Sequence, residues 1–92
     1  MELSEAQLLA LVSKAAELAT VKTLVKTGNL KPYLNKSEAF RRYGRKNIEK
    51  WLSVGLLTLR KDGDQSAAWR LDRLEIETLV NAIEMRVILE FP

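Results

Sequence analysis

The sequence contains neither cysteine nor histidine. Without cysteine there is no disulfide, no thiolate metal site and no thiol nucleophile. Without histidine the commonest general base and the commonest metal ligand are also missing. A catalytic centre would have to be built from carboxylates, lysine, serine or tyrosine, and no spacing in the chain marks one. An enzyme is therefore not expected, and neither is a cofactor or a bound metal. The four glycines are scattered and form no phosphate-binding loop. No apolar stretch approaches the roughly 20 residues that span a bilayer, and the first residues lack the basic, apolar and cleavage segments of a signal peptide. These absences lead to the expectation of a cytoplasmic protein with no membrane partner.

What is present suits one small soluble domain over residues 1–92. Apolar residues make up 47% of the chain and charged residues 29%, a globular rather than a disordered balance. A net charge of +3 says little alone, but its distribution is uneven. Residues 1–30 carry three Lys against three Glu, and residues 62–92 carry three Arg against seven acids. Between them, residues 31–61 hold nine Lys/Arg against only Glu38 and Glu49, a local excess of seven. Clustered charge of this kind implies one basic face.

Local patterns divide the chain into elements. Residues 4 to about 26 read as a long first helix, opened by the capping-box pair Ser4 and Gln7. Leu8, Leu11, Val12, Ala15, Leu18, Ala19 and Val25 recur at helical spacing, and Leu9, Val21 and Leu24 widen the stripe. Such a stripe either packs on the rest of the domain or pairs with a second copy. Gly28 and Lys31-Pro32 end the helix. Asn35 and Glu38 form a second capping box, opening a short helix over residues 36–43, with Ala39 and Phe40 toward a core. Gly44 permits a sharp turn into a third helix over residues 45–54, whose core face is Ile48, Trp51 and Leu52.

Gly55 ends that helix, and alternation from Leu57 to Leu59, the Asp62-Gly63 turn, a loop over 64–66 and a return over 68–71 predict a hairpin. Trp69 is expected to anchor it. Asp72 and Glu75 have the spacing of a third capping box, opening a last helix near Arg73. Its core face is Leu74, Ile76, Leu79, Val80, Ile83 and Val87, and its end, from Val87 to Leu89 with Phe91, is strongly apolar. The expected fold is mainly α with a small β-hairpin wing: a winged helix-turn-helix preceded by a long N-terminal helix over residues 1–30 and completed over residues 31–92 by a C-terminal helix.

The basic excess coincides with this helix-turn-helix punctuation, which points to duplex DNA. Positive side chains displace counterions from phosphates, and polar side chains at the start of a helix reach base edges in the major groove. The helix over 45–54 offers Arg45, Lys46, Asn47 and, one turn on, Lys50. Arg and Asn have the donor geometry to read guanine and adenine respectively. Arg41 and Arg42 flank it from the preceding helix, and Arg60, Lys61 and Arg70 on the wing, about 57–71, face backbone or minor groove. Trp51, three residues after Ile48, reads as core rather than as a base-stacking residue.

Tyr33-Leu-Asn-Lys-Ser-Glu-Ala39, Ile48-Glu-Lys-Trp-Leu52, Gly55-Leu-Leu57 and Lys61-Asp-Gly63 leading to Trp69-Arg-Leu71 together resemble the winged helix-turn-helix of excisionase-type proteins. The element order is also similar to the DNA-binding domain of MerR-type regulators. The resemblance covers residues 33–79 and implies a helix in the major groove, a wing on the adjacent minor groove or backbone, and DNA bending in a recombination or regulatory complex. On it, Lys46, Asn47 and Lys50 match the base-facing part of the recognition helix, and Arg60 and Lys61 match the wing. The chain departs from the MerR-type pattern where Gly44 runs directly into Arg45, without a Gly-Val-Ser-like segment, and it carries no separate effector-binding domain, so ligand-sensing regulation is not expected.

The function expected is sequence-preferring binding of double-stranded DNA, as an excisionase-like accessory factor or a small transcriptional regulator. The alternative is a protein-interaction module, homodimeric or adaptor, built on the same fold, using the N-terminal helix and the apolar C-terminus.

Overall fold

The computed structural model describes residues 2–61 and 69–90. The expected turn at Asp62-Gly63, the loop over 64–66, Ala68 and Phe91 lie outside the described residues. Those described form a mainly helical chain with four helices and a small antiparallel sheet: α1 (Glu5–Lys26), β1 (Tyr33–Asn35), α2 (Lys36–Tyr43), α3 (Arg45–Ser53), β2 (Leu59–Lys61), β3 (Trp69–Asp72) and α4 (Arg73–Glu90). None of these helices is long and apolar enough to cross a membrane. The chain divides into two compact units, Lys31–Ile76 on one side and Met1–Leu30 with Glu77–Pro92 on the other.

In Lys31–Ile76 the strands lie in the order β1-β3-β2, with β3 antiparallel to both neighbours. Leu71 on β3 is level with Leu34 on β1 and with Leu59 on β2. Because side chains alternate across a sheet, this register puts the three leucines on one face and Tyr33, Asn35, Arg60, Arg70 and Asp72 on the other. α2 packs against α3, β1 and β3. The core of the unit is Leu34, Ala39, Ile48, Leu57, Leu71 and Ile76, all nearly or fully buried.

β1 was not expected. It has three residues and hands over directly to Asn35, the N-cap of α2. With a single buried residue, Leu34, it carries no alternation to read. The expected capping boxes at Ser4/Gln7 and Asn35/Glu38 both form, each side chain accepting from the other's backbone amide. The one expected at Asp72/Glu75 does not. Asp72 Oδ1 accepts from the Leu74 amide at 2.9 Å, while Glu75 Oε1 is drawn away to the Thr58 amide at 2.6 Å. A charged acceptor bonds the amide that tertiary packing brings closest, and here that amide belongs to the segment leading into β2.

Other boundaries shift slightly. α3 ends at Ser53, with Val54 as its cap. β2 begins at Leu59 rather than Leu57, and Leu57 instead plugs the core. Trp69, expected to anchor the hairpin, is 42% exposed. Its position in β3, two residues from Leu71, gives it the same face parity as that leucine.

In the other unit, α1 runs antiparallel to the part of α4 beyond Ile76. Gln7 Nε2 donates to the Ile88 carbonyl at 3.2 Å, and Asn81 Nδ2 donates to the Lys14 carbonyl at 2.8 Å. Moving forward along α1 from Gln7 to Lys14 therefore moves backward along α4 from Ile88 to Asn81. Lys14 also pairs with Glu84, which raises its pKa through the charge-assisted hydrogen bond.

The expected apolar core of this unit is only partly covered: Leu11, Leu18, Val21, Leu24, Leu79 and Val80 are half-buried. Gln7 is the only buried residue of α1. Leu8, Leu9 and Val12 are exposed, as are Ile83, Val87 and Leu89 on α4, and of the face expected for α4 only Ile76 is buried. Each of two paired helices covers one side of the other, whereas apolar residues here lie all round both.

Candidate nucleic-acid interface

The site starts with a backbone constraint. Gly44 has φ +91°, a conformation that a side chain makes strained, and it joins α2 to α3 with no intervening residue. Its amide closes α2 on the Phe40 carbonyl at 2.9 Å, and its carbonyl accepts from the Ile48 amide at 3.1 Å to begin α3. Having no side chain, Gly44 cannot cap α3, so the amides of the first turn lack a side-chain acceptor. Ile48, fully buried, sets the helix phase. Trp51 and Leu52 follow half-buried, while Arg45, Lys46, Asn47, Glu49 and Lys50 are exposed.

The exposed residues are not equivalent. Arg45 Nε is bonded to Glu49 Oε1 at 2.8 Å, and its guanidinium lies 5.6 Å from the centre of the Phe40 ring. The hydrogen bond and charge of Glu49 push the Arg45 pKa up. Asn47 Nδ2 donates to the Tyr43 carbonyl at 2.9 Å, tying α3 back to the end of α2. Lys46 and Lys50, one turn apart, have no hydrogen-bond or ion-pair partner among the described residues. In the free protein these two lysines are therefore the readiest cations on α3, and Asn47 has a structural role that its spacing did not reveal.

Arg41 and Arg42 are exposed in the last turn of α2, with the Arg42 guanidinium 5.7 Å from the Tyr43 ring centre. The sheet adds a second basic group. The β2–β3 register sets Arg60 directly opposite Arg70 and Lys61 opposite Trp69. Like charges directly opposite each other are unfavourable unless something compensates. Part of the compensation is Tyr33, whose ring centre lies 4.2 Å from the Arg70 guanidinium.

Sequence reading missed Arg73. It opens α4, yet it is only 6% exposed. Its Nε donates to the Lys31 carbonyl at 2.6 Å and its amide to the Pro32 carbonyl at 2.9 Å. With Leu34, Glu38, Arg41 and Arg42 it lines an open groove of about 360 Å³. Nothing local could have revealed this, because the carbonyls that hold Arg73 lie 42 positions or so away in the chain. Glu38 in the same groove is already occupied, since Oε2 accepts from Lys31 Nζ at 3.0 Å and Oε1 from the Asn35 amide at 3.3 Å. Lys31, then that amide, hold its pKa below the usual carboxylate value.

No protein family, curated protein or solved structure matches this chain. The chemistry of the site is therefore read from its own groups: cations and hydrogen-bond donors on α2, α3 and the polar sheet face, suited to an anionic, acceptor-rich partner.

Proposed function

We propose that the chain is a sequence-preferring duplex-DNA-binding protein, in which α2 and α3 act as a helix-turn-helix and β2–β3 as its wing. It would serve as an excisionase-like accessory factor or a small transcriptional regulator. The observation that carries this reading is α3 itself. Its core side is pinned by the fully buried Ile48, while Arg45, Lys46 and Lys50 stand exposed on the helix that follows the Gly44 turn. The sheet order β1-β3-β2 supports a wing, since β1 braces the hairpin strand that carries Arg70.

In this reading Lys46 and Lys50 enter the major groove without first breaking an interaction. Arg45 is bonded to Glu49 through Nε alone, so its Nη donors can reach a guanine edge or a phosphate, while the nearby carboxylate weakens its pull on that anionic partner. Asn47 commits one amide N–H to the Tyr43 carbonyl and keeps its second N–H and its oxygen for an adenine edge. Arg60, Lys61 and Arg70 grip backbone or minor groove. Selection of bound duplexes from a random pool tests the proposal, with the Arg45→Ala/Lys46→Ala double variant as control. A motif enriched by the parent and lost by the control is expected; failure to shift any duplex at low salt would sink the reading.

A second reading, a homodimeric interaction module, is favoured by the exposed apolar side chains of α1 and α4. The partner it names is a second copy, because two-fold dimers are the commonest closed assemblies and would offer two copies of α3 to half-sites about 34 Å apart. Sedimentation over a wide concentration range should show a monomer–dimer equilibrium. A monomer at every concentration would remove this reading and leave the first intact.

A further inference from the structure

The groove beside α2 contains a charge without a counter-charge. Arginine does not lose its proton in proteins, so Arg73 stays cationic however deeply it is buried. It is 94% buried by the complement of its 6% exposure. Its guanidinium donates to one carbonyl, that of Lys31, and Nη1 is buried with no hydrogen-bond partner. It has no ion pair with a carboxylate among the described residues. The nearest candidate in the groove, Glu38, has one oxygen on Lys31 and the other on the Asn35 amide. A buried charge without a counter-charge is strongly unfavourable.

The walls of the groove show which partner would fit. Arg41 and Arg42 bring two more guanidinium groups from the last turn of α2, and the buried Leu34 lines the same space. Three guanidinium groups face one carboxylate that is already engaged, so the groove is strongly cationic. Forked donors of this kind match the oxygens of a phosphate group. The groove is open and about 360 Å³ in volume, so a phosphate can enter with its flanking sugars left in solvent.

We propose that the groove lined by Leu34, Glu38, Arg41, Arg42 and Arg73 is a phosphate-binding site that takes one backbone phosphate of duplex DNA. The proposal rests on the DNA-binding reading and goes beyond it, by adding a contact from the start of α4 that is separate from the base-facing side of α3. Phosphate contacts position a protein without carrying sequence information. The role of the groove is thus to set the register of α3 on the duplex, with Arg73 held in place by the Lys31 and Pro32 carbonyls.

The test uses the full chain and three variants. Arg41→Gln and Arg42→Gln change exposed residues and should leave the fold unaltered. Arg73→Lys keeps the charge but loses the fork. Thermal melting checks the fold of each. Duplex affinity is then measured between 50 and 200 mM salt. Loss of one phosphate contact lowers the slope of log K against log salt by about 0.9, an affinity difference of about threefold over that range. The expected result is this loss in Arg42→Gln or Arg41→Gln, equal for all sequences. Arg73→Lys should weaken binding, and its effect should be non-additive with that of the α2 variant. A parallel arm follows the melting temperature with inorganic phosphate at constant ionic strength. Duplex binding that none of the three variants alters overturns the groove and leaves the DNA reading standing. If no duplex binds but phosphate still stabilises the parent and not Arg73→Lys, the DNA source is overturned and the site belongs to a free phosphate.

Discussion

Every buried aliphatic side chain among the described residues lies between Leu34 and Ile76, whereas the buried side chains of Met1–Leu30 with Glu77–Pro92 are the amides of Gln7 and Asn81. The first unit is organised in the ordinary way. Its helices α2 and α3 have an apolar side and a charged side, α2 packs against α3, β1 and β3, and the charged sides stay exposed. The second unit reverses this. Its helices are apolar all round and exposed at Leu8, Leu9, Val12, Ile83 and Val87, and the contacts that set their register are side-chain amides on backbone carbonyls. The basic excess thus belongs to the unit with the buried aliphatic core, and most of the exposed large apolar side chains to the other, although Val54, Leu56 and Trp69 are exposed in the first.

The largest expected effect would break the comparison on the side of burial. Ile48→Ala removes a fully buried side chain at the base of α3 and should destabilise Lys31–Ile76 by about 2–5 kcal/mol, read by chemical denaturation. Leu9→Ala, at 69% exposure, should change stability by no more than about 0.5 kcal/mol in dilute protein. Equal effects would mean that the two units share one core. Next is the backbone of the helix joint. Gly44→Ala places a Cβ at φ +91° and should cost about 1–3 kcal/mol. Its Cβ would lie 3.4 Å from Asn47 Nδ2, so crowding adds little to that strain.

Asn81→Ala examines the polar tie of the other unit. Losing its hydrogen bond to the Lys14 carbonyl should cost about 1 kcal/mol, with faster amide exchange in α1 and α4 as the local readout. No change would show that the amide ties are incidental. The smallest effect concerns acid. Glu38 titrates below its ordinary range because Lys31 and the Asn35 amide favour its charged form. Its contribution is therefore complete above the ordinary carboxylate range and disappears as pH falls through the lowered folded value. Amide exchange at the start of α2 should rise over that interval in the parent and stay flat in Glu38→Gln.

How much could be read in advance depended on distance along the chain. The Ser4/Gln7 and Asn35/Glu38 boxes were legible, as were α2, the Gly44 joint and the core position of Ile48, because each is a relation among residues within a few positions. The exposed cations of α3 followed from the same local phase. The Asp72/Glu75 box had the same local signature and still failed, since Thr58 lies 17 positions away and offered Glu75 a competing amide. β1 was hidden because a three-residue strand exists only through its pairing with β3.

The sequence alone settled, to within a residue or so, where α1, α2 and α3 start and stop and which stretch is basic, for these are governed by capping bonds, glycine conformation and charge counted along the chain. Folding in three dimensions settled what those pieces meet. It placed Arg70 on Tyr33, Arg73 against two distant carbonyls beside Arg41 and Arg42, and Gln7 and Asn81 between helices that had promised an apolar seam. The physical reason is one of range: a hydrogen bond within a turn is written in adjacent residues, whereas the partner of a side chain that crosses the fold depends on which backbone atoms the rest of the chain delivers to it.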